Sequence, residues 1–119
     1  MCGIVGLFLK TETYRPDLGR LTADMLHEMR GRGPDSAGFA VYDEGRPGVT
    51  RLTLLAEGRE PDWSPTAAAL ESVLGEEVRV RPVHDHAVFE TTGDGRAARQ
   101  FVIDNFPDID VLSHGTQIE

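Results

Sequence analysis

Residues 1–8 are MCGIVGLF and residues 32–42 are RGPDSAGFAVY, and these two stretches decide the expected fold. In the first stretch, glycines stand on both sides of Ile4 and Val5 in a nearly continuous apolar run. That pattern is typical of a buried strand that other backbone approaches closely. In the second stretch, the small, apolar and aromatic residues 36–42 predict another buried strand.

Residues 16–30 separate these two strands and predict an amphipathic helix that begins just after a proline. Apolar residues recur there at helical spacing, and the Gly-Arg-Gly-Pro sequence at 31–34 ends the pattern. The predicted apolar stripe consists of Leu18, Leu21, Met25, Leu26 and Met29.

Residues 49–119 have a different pattern, which predicts the order strand, helix, strand, strand, helix, strand. Alternation at 50–56 predicts the first strand, and Ser64-Pro65 is expected to cap and open a helix that ends at Gly75. Residues 78–81 and 87–91 are expected to pair across a turn, Asp94 to cap a second helix, and residues 109–114 to form the last strand. This βαββαβ order predicts a ferredoxin-like subdomain, and it leaves 1–48 as a separate N-terminal part.

Composition excludes several classes of function. Twenty acidic residues against twelve basic residues give a formal net charge of −8. Such a surface repels phosphate backbones and anionic lipid, so neither nucleic acid nor a membrane is an expected partner. No apolar run approaches the roughly 18–20 residues that span a bilayer, and the N-terminus lacks the features of a secretion signal. With one cysteine there is no internal disulfide, and a cytoplasmic location is expected.

Cys2 is the principal candidate for chemistry because of its position. An initiator methionine before a small residue is usually removed, which would leave Cys2 with both a thiol and a free α-amino group. Both groups titrate near working pH, so one residue supplies a nucleophile and a proton acceptor. This is the arrangement of N-terminal-nucleophile enzymes. A cysteine at position two is nevertheless, taken alone, most often incidental.

MCGIVGLF at the N-terminus, followed after one helix by Arg32-Gly33-Pro34-Asp35-Ser36-Ala37-Gly38, resembles the class II glutamine amidotransferases. That family includes the glutaminase domains of glutamate synthase, asparagine synthetase, the purine amidotransferase and glucosamine-phosphate synthase. The resemblance covers about residues 1–42, a third of the chain. It implies an α+β Ntn-hydrolase fold, a four-layer αββα sandwich, into which the ferredoxin-like subdomain is inserted.

The resemblance also implies roles for individual residues. Cys2 is the expected nucleophile, which attacks the side-chain amide of glutamine, forms a γ-glutamyl thioester and releases ammonia. Arg32 and Gly33 are expected beside the glutamine pocket. Asp35 and Ser36 are substrate-binding candidates in the same loop, and the alternative is that they hold the loop by local hydrogen bonds.

Other parts of the family pattern have no match. The only asparagine, Asn105, is not followed by glycine, so an Asn-Gly oxyanion hole is not found. His114-Gly115-Thr116 lacks the arginine that would bind the α-carboxylate of glutamine. We therefore expect the chain to be the N-terminal piece of a longer protein, with the rest of the domain after residue 119. As a fragment, it should show no glutaminase activity above that of a Cys2→Ala control.

The general likeness is greatest to the separate amidotransferase subunits of glutamate-synthase-like systems, including the N-methylglutamate synthases. That assignment implies synthase partner subunits that carry flavin and iron–sulfur centres, with no cofactor on this chain. His84-Asp85-His86 is better explained as a solvated hairpin turn than as a metal site. The rival function is a non-catalytic regulatory or subunit-docking module.

Overall fold

A computed structural model of the protein describes residues 3–32 and 37–118. The chain divides into two units, Met1–Phe39 and Ala40–Glu119. No helix in the described ranges is long and apolar enough to cross a membrane.

The first unit contains one α-helix, α1 (Leu18–Met29), between two short 3₁₀ segments, Glu12–Asp17 and Arg30–Arg32. The helix predicted over residues 16–30 is therefore confirmed. Its apolar stripe is half-buried throughout, and on its exposed side Arg20 pairs with Asp17 and Asp24. None of residues 3–32 and 37–39 is fully buried.

The two apolar stretches do not form the predicted strands. Residues 3–9 have no strand pairing, and residues 37–42 contribute only an isolated antiparallel bridge between Tyr42 and Ile118. Backbone becomes a strand only where a neighbouring strand accepts its hydrogen bonds, and none of the described strands lies alongside these segments. The side chains of Ile4 and Phe8 are accordingly 96% and 84% exposed. An apolar pattern indicates which residues favour burial, but it does not indicate which strand they would pair with.

The second unit is a four-stranded sheet with two helices. Its elements are β1 (Thr50–Leu55), α2 (Ser64–Leu74), β2 (Val78–Val83), β3 (His86–Thr91), α3 (Gly95–Asn105) and β4 (Asp110–Gly115). The predicted order of elements is confirmed. The strands lie in the order β2-β3-β1-β4, with all neighbours antiparallel. The division at residue 49 and the Ntn sandwich remain predictions.

The core lies between one face of this sheet and the helices α2 and α3. Leu52 and Leu54 alternate along β1 and are fully buried, as period-two patterning requires. Phe89 on β3 is also fully buried, and its ring meets that of Trp63 edge to face at 5.7 Å. The helices contribute Leu70, Ala98 and Val102.

Local polar groups set the ends of the helices. The carboxylate of Asp94 accepts hydrogen bonds from the backbone N–H groups of Arg96 (2.8 Å) and Ala97 (3.2 Å), so the predicted cap of α3 is confirmed. The predicted cap of α2 was wrong by one residue. Trp63 holds the N-cap position, Ser64 is the first helical residue, and Asp62 accepts its N–H at 2.9 Å. The hydrogen bonds from Ser64 lower the pKa of Asp62.

Candidate active site

Arg32 is the predicted site residue that the structure describes. Cys2, Gly33, Asp35 and Ser36 lie outside the described residues, and so their predicted roles are untested. Arg32 is described, and it ends the 3₁₀ segment that continues α1.

Arg32 is exposed. The described ion pairs of this unit belong to Arg15 and Arg20, and Arg30 contacts His27. Among residues 3–32 and 37–118, no carboxylate pairs with Arg32. A guanidinium in that state can bind an external carboxylate through two parallel N–H···O hydrogen bonds.

Gly3 packs against the end of α1. The terminal methyl group of Met29 occupies the space that a Cβ on residue 3 would need. The Cβ of Arg32 lies 3.3 Å from the same position, which is tighter than ordinary van der Waals contact. The structure therefore places Gly3 directly beside Arg32, although Arg32 is 29 positions later in the sequence.

Gly3 and Arg32 come from the two sequence stretches on which the family resemblance rests, and they are in contact. Sequence reasoning identified Arg32 from a motif but missed Met29, which it treated only as part of the helical stripe.

A second cluster of charges lies in the other unit and is structural. Arg51 is only 8% exposed; its guanidinium donates to both carboxylate oxygens of Asp43, each at 2.8 Å, and to Glu90 at 3.2 Å. Arg46 also pairs with Glu90. The hydrogen bond to Asp43 raises the pKa of Arg51. Burial raises the pKa of Glu90, but the two arginines outweigh it and the net shift is downward.

Sequence analysis missed this ion-pair cluster because its members come from distant parts of the chain. Asp43 also donates its backbone N–H to the carbonyl of Gln117 at 3.1 Å. The cluster therefore ties the turn before β1 to the sheet and to residues 117–118, next to the Tyr42–Ile118 bridge. Every charge is used in these contacts, so we assign the cluster no chemistry.

The two histidines near residue 85 are held by carboxylates. Nδ1 of His86 lies 2.6 Å from Asp85, and Nδ1 of His84 lies 3.1 Å from Glu60. The bond to His86 lowers the pKa of Asp85. His84 has a φ of 55°, in the two-residue turn between β2 and β3. In the described part of the chain, no group of three His, Cys, Asp or Glu side chains is arranged to hold a metal ion.

Residues considered for the missing family features are used locally. The side-chain amide of Asn105 donates to the carbonyl of Phe101 at 2.9 Å, at the end of α3. His114 lies on β4 opposite Leu52. Neither position meets a second group that would complete an oxyanion hole or a carboxylate site within the described ranges.

The sequence of this chain is similar to those of curated proteins that are named as glutamine amidotransferases. Glutamine amidotransferase-like protein GlxB of Rhizobium meliloti is 37% identical over 120 residues, which cover 100% of this chain. A protein of Methanothermobacter thermautotrophicus, named "Putative glutamine amidotransferase", is 48% identical over 42 residues, or 35% of this chain.

The chain spans 40% of the length of the first relative and 13% of the second. No protein-family model matches the sequence. No solved structure matches it either. The similarity therefore supports a glutamine amidotransferase in general and leaves class, mechanism and partners to be argued from the residues.

Proposed function

We propose that this chain is a glutamine amidotransferase module of class II, in which Cys2 is the N-terminal nucleophile. The observation that carries the proposal is the packing of Gly3, the neighbour of Cys2, against Arg32. Gly3 belongs to one of the two stretches that resemble the family pattern, and Arg32 begins the other. The names of the two relatives support the same class of activity.

The proposed reaction uses the two groups of an N-terminal cysteine. The thiolate of Cys2 attacks the side-chain carbonyl carbon of glutamine, and the tetrahedral intermediate collapses when the C–N bond breaks. The α-amine of Cys2 takes the proton of the thiol and, through a water molecule, delivers it to the departing nitrogen, which leaves as ammonia. Water then cleaves the γ-glutamyl thioester, which yields glutamate and the free thiol.

Arg32 is proposed to bind a carboxylate or a backbone carbonyl beside the glutamine pocket, with Gly33 allowing the loop to approach the substrate. Its exposure and its lack of an ion-pair partner among the described residues support this role. Asp35 and Ser36 are proposed to shape the same loop, by local hydrogen bonds or by contact with glutamine.

The fold and the partners belong to the same proposal. Residues 1–48 would form part of an Ntn αββα sandwich, and the βαββαβ unit that follows would be a ferredoxin-like insertion. The released ammonia would pass to a synthase partner of the glutamate-synthase type, whose flavin and iron–sulfur centres lie on the partner. The general likeness to the amidotransferase subunits of that type supports this choice.

A glutamine-analogue diazo-ketone tests the proposal. The electrophile resembles glutamine and alkylates a thiolate that is held in a glutamine pocket. We expect one adduct, on Cys2, that forms more slowly when glutamine is added and is absent from a Cys2→Ser variant. Iodoacetamide, which needs no pocket, serves as the control for thiol access. Equal labelling with and without glutamine, measured by intact mass, would contradict a glutamine site.

One observation favours a second candidate, a subunit-docking module without catalysis. Ile4, Phe8 and Phe39 are 96%, 84% and 75% exposed and none of them lies in a strand, so they offer apolar side chains and unpaired backbone groups to another chain. Docking does not need the α-amine of Cys2, whereas the amidotransferase does. Retention of Met1 in the purified protein would favour docking.

A further inference from the structure

The residues that lead into the βαββαβ unit and the residues that follow β4 lie side by side. Tyr42 forms an antiparallel bridge with Ile118, and the backbone N–H of Asp43 donates to the carbonyl of Gln117 at 3.1 Å. The two ends of the unit are therefore paired at one place, as they must be in a unit that is inserted into another domain. We call this pair of segments, residues 42–46 and 116–118, the base clamp.

We propose that the base clamp is a conformational device that opens by itself, while the core between the sheet and the helices α2 and α3 stays folded. When the clamp is closed, Tyr42 is held against Ile118, and when it is open, Tyr42 is released. Tyr42 is the last residue of the RGPDSAGFAVY stretch, so the clamp controls one end of the stretch that contains the family motif. Its opening does not depend on the reaction proposed for Cys2, because both segments belong to the second unit.

The base clamp is held by polar contacts and not by the apolar core. Both carboxylate oxygens of Asp43 accept hydrogen bonds from Arg51 at 2.8 Å, and Arg46 pairs with Glu90. The side chains of Asp43 and Glu90 are 35% and 24% exposed, so water weakens these ion pairs. The buried hydrophobic residues of the described ranges lie within residues 52–102, outside both segments. A segment with few buried apolar contacts opens at a lower free energy than the core does.

Gly45 closes the base clamp through a contact that a side chain would prevent. Its φ is 67°, in the left-handed region that glycine adopts readily. A Cβ on residue 45 would overlap the backbone carbonyl oxygen of Thr116, which cannot move unless its segment moves. Gly48 has a φ of 75° in the same loop, but no atom of the described residues lies within 4 Å of the position of its Cβ. The two glycines therefore share a backbone conformation and differ in their contact with Thr116.

Amide hydrogen exchange, followed by NMR at increasing low concentrations of urea, tests the proposal on the wild-type chain. The amide of Asp43 reports on the base clamp, and the amide of Phe89, a fully buried residue of β3, reports on the core. Exchange through a small opening depends little on urea, whereas exchange through global unfolding rises steeply, because the effect of urea scales with the surface exposed. We expect the Asp43 amide to exchange at least about tenfold faster than that of Phe89, after correction for intrinsic rates, and to depend little on urea.

Two variants separate the contact with Thr116 from backbone strain. Alanine is strained at either position, so Gly45→Ala and Gly48→Ala should both speed the exchange of the Asp43 amide, by about fivefold from strain alone. Gly45→Ala must also displace Thr116, so its Asp43 amide should exchange about tenfold faster than that of Gly48→Ala. The fluorescence of Trp63, whose ring packs against Phe89, should match wild type in both variants because the core stays folded.

Two results would overturn the proposal. One is a wild-type Asp43 amide whose exchange has the same opening free energy and the same dependence on urea as that of Phe89, since the clamp would then open only when the whole unit unfolds. The other is an equal rate for the Asp43 amide in Gly45→Ala and Gly48→Ala, which would show that the contact with Thr116 does not hold the clamp closed. The first comparison needs only the wild-type chain, so it decides the question even if a variant fails to fold.

Discussion

Arg30 and Arg32 share one 3₁₀ segment but have different surroundings, and that difference tests the glutamine pocket. Arg30 contacts His27 on the preceding turn, whereas Arg32 has no ion-pair partner among the described residues and lies against Gly3. The two positions therefore carry the same residue type and the same charge. Only Arg32 lies against Gly3, the sequence neighbour of the candidate nucleophile.

We predict that Arg32→Ala weakens glutamine recognition and leaves the thiol accessible. Loss of a charge-assisted hydrogen bond costs about 1.5–3 kcal/mol, so about ten- to a hundredfold more glutamine should be needed to protect Cys2 from the diazo-ketone. The iodoacetamide rate should change little, and Arg30→Ala should behave as wild type. Identical protection curves for the two variants would show that Arg32 does not bind the substrate.

The elements of the second unit depend on the ion-pair cluster around Arg51 as well as on the core. Arg51 lies near the start of β1. Its guanidinium forms ion pairs with Asp43, which precedes the strand, and with Glu90 on the neighbouring β3. Arg51 is almost fully buried, so replacing it would remove a positive charge that balances the negative charges of Asp43 and Glu90. Arg79 provides the contrast, since it lies on β2 opposite the same Glu90 but is well exposed and forms an ion pair with Glu77.

We predict that Arg51→Met lowers the free energy of unfolding by about 1–2 kcal/mol, since Asp43 and Glu90 keep partial access to water. Methionine preserves the apolar stem, so the change reports mainly on the lost ion pairs. Arg79→Met should cost less than about 0.5 kcal/mol, as exposed pairs usually do. Urea denaturation of both variants measures the difference, and equal losses would contradict a structural role for the cluster.

The limits of sequence reasoning also appear at the level of elements. The alternation at 50–56 and 78–81 and the cap at Asp94 were sufficient to predict β1, β2 and α3, because each depends on local pattern. The register shift of β4 at Thr53 and Leu54 has no local signal. Residues 3–9 failed as a strand for a related reason, because pairing depends on a partner that the pattern cannot specify.

For the whole molecule, the core and the candidate chemistry belong to different units. Among residues 3–32 and 37–118, all eleven buried hydrophobic residues fall in the range from Leu52 to Val102, in the second unit. The candidate residues Cys2 and Arg32 belong to the first unit, Met1–Phe39. The motif identified these residues from the sequence. The contact between Gly3 and Met29 could be seen only in the structure, because 25 residues lie between them in the sequence.

The central claim is that Cys2 acts as an N-terminal residue, with its own α-amine as the proton carrier. The most direct test compares the diazo-ketone rate of Cys2 in the processed protein with that in a variant that retains Met1. Insertion of a lysine between Met1 and Cys2 blocks removal of the methionine, because removal requires a small second residue. Intact mass verifies the N-terminus of each protein, and iodoacetamide checks that the thiol remains accessible.

Our account predicts that the retained-Met1 variant reacts with the diazo-ketone at least about a hundredfold more slowly, the range expected for loss of a general acid–base group. Equal diazo-ketone rates in the two proteins would contradict it, because an ordinary internal cysteine would then be sufficient.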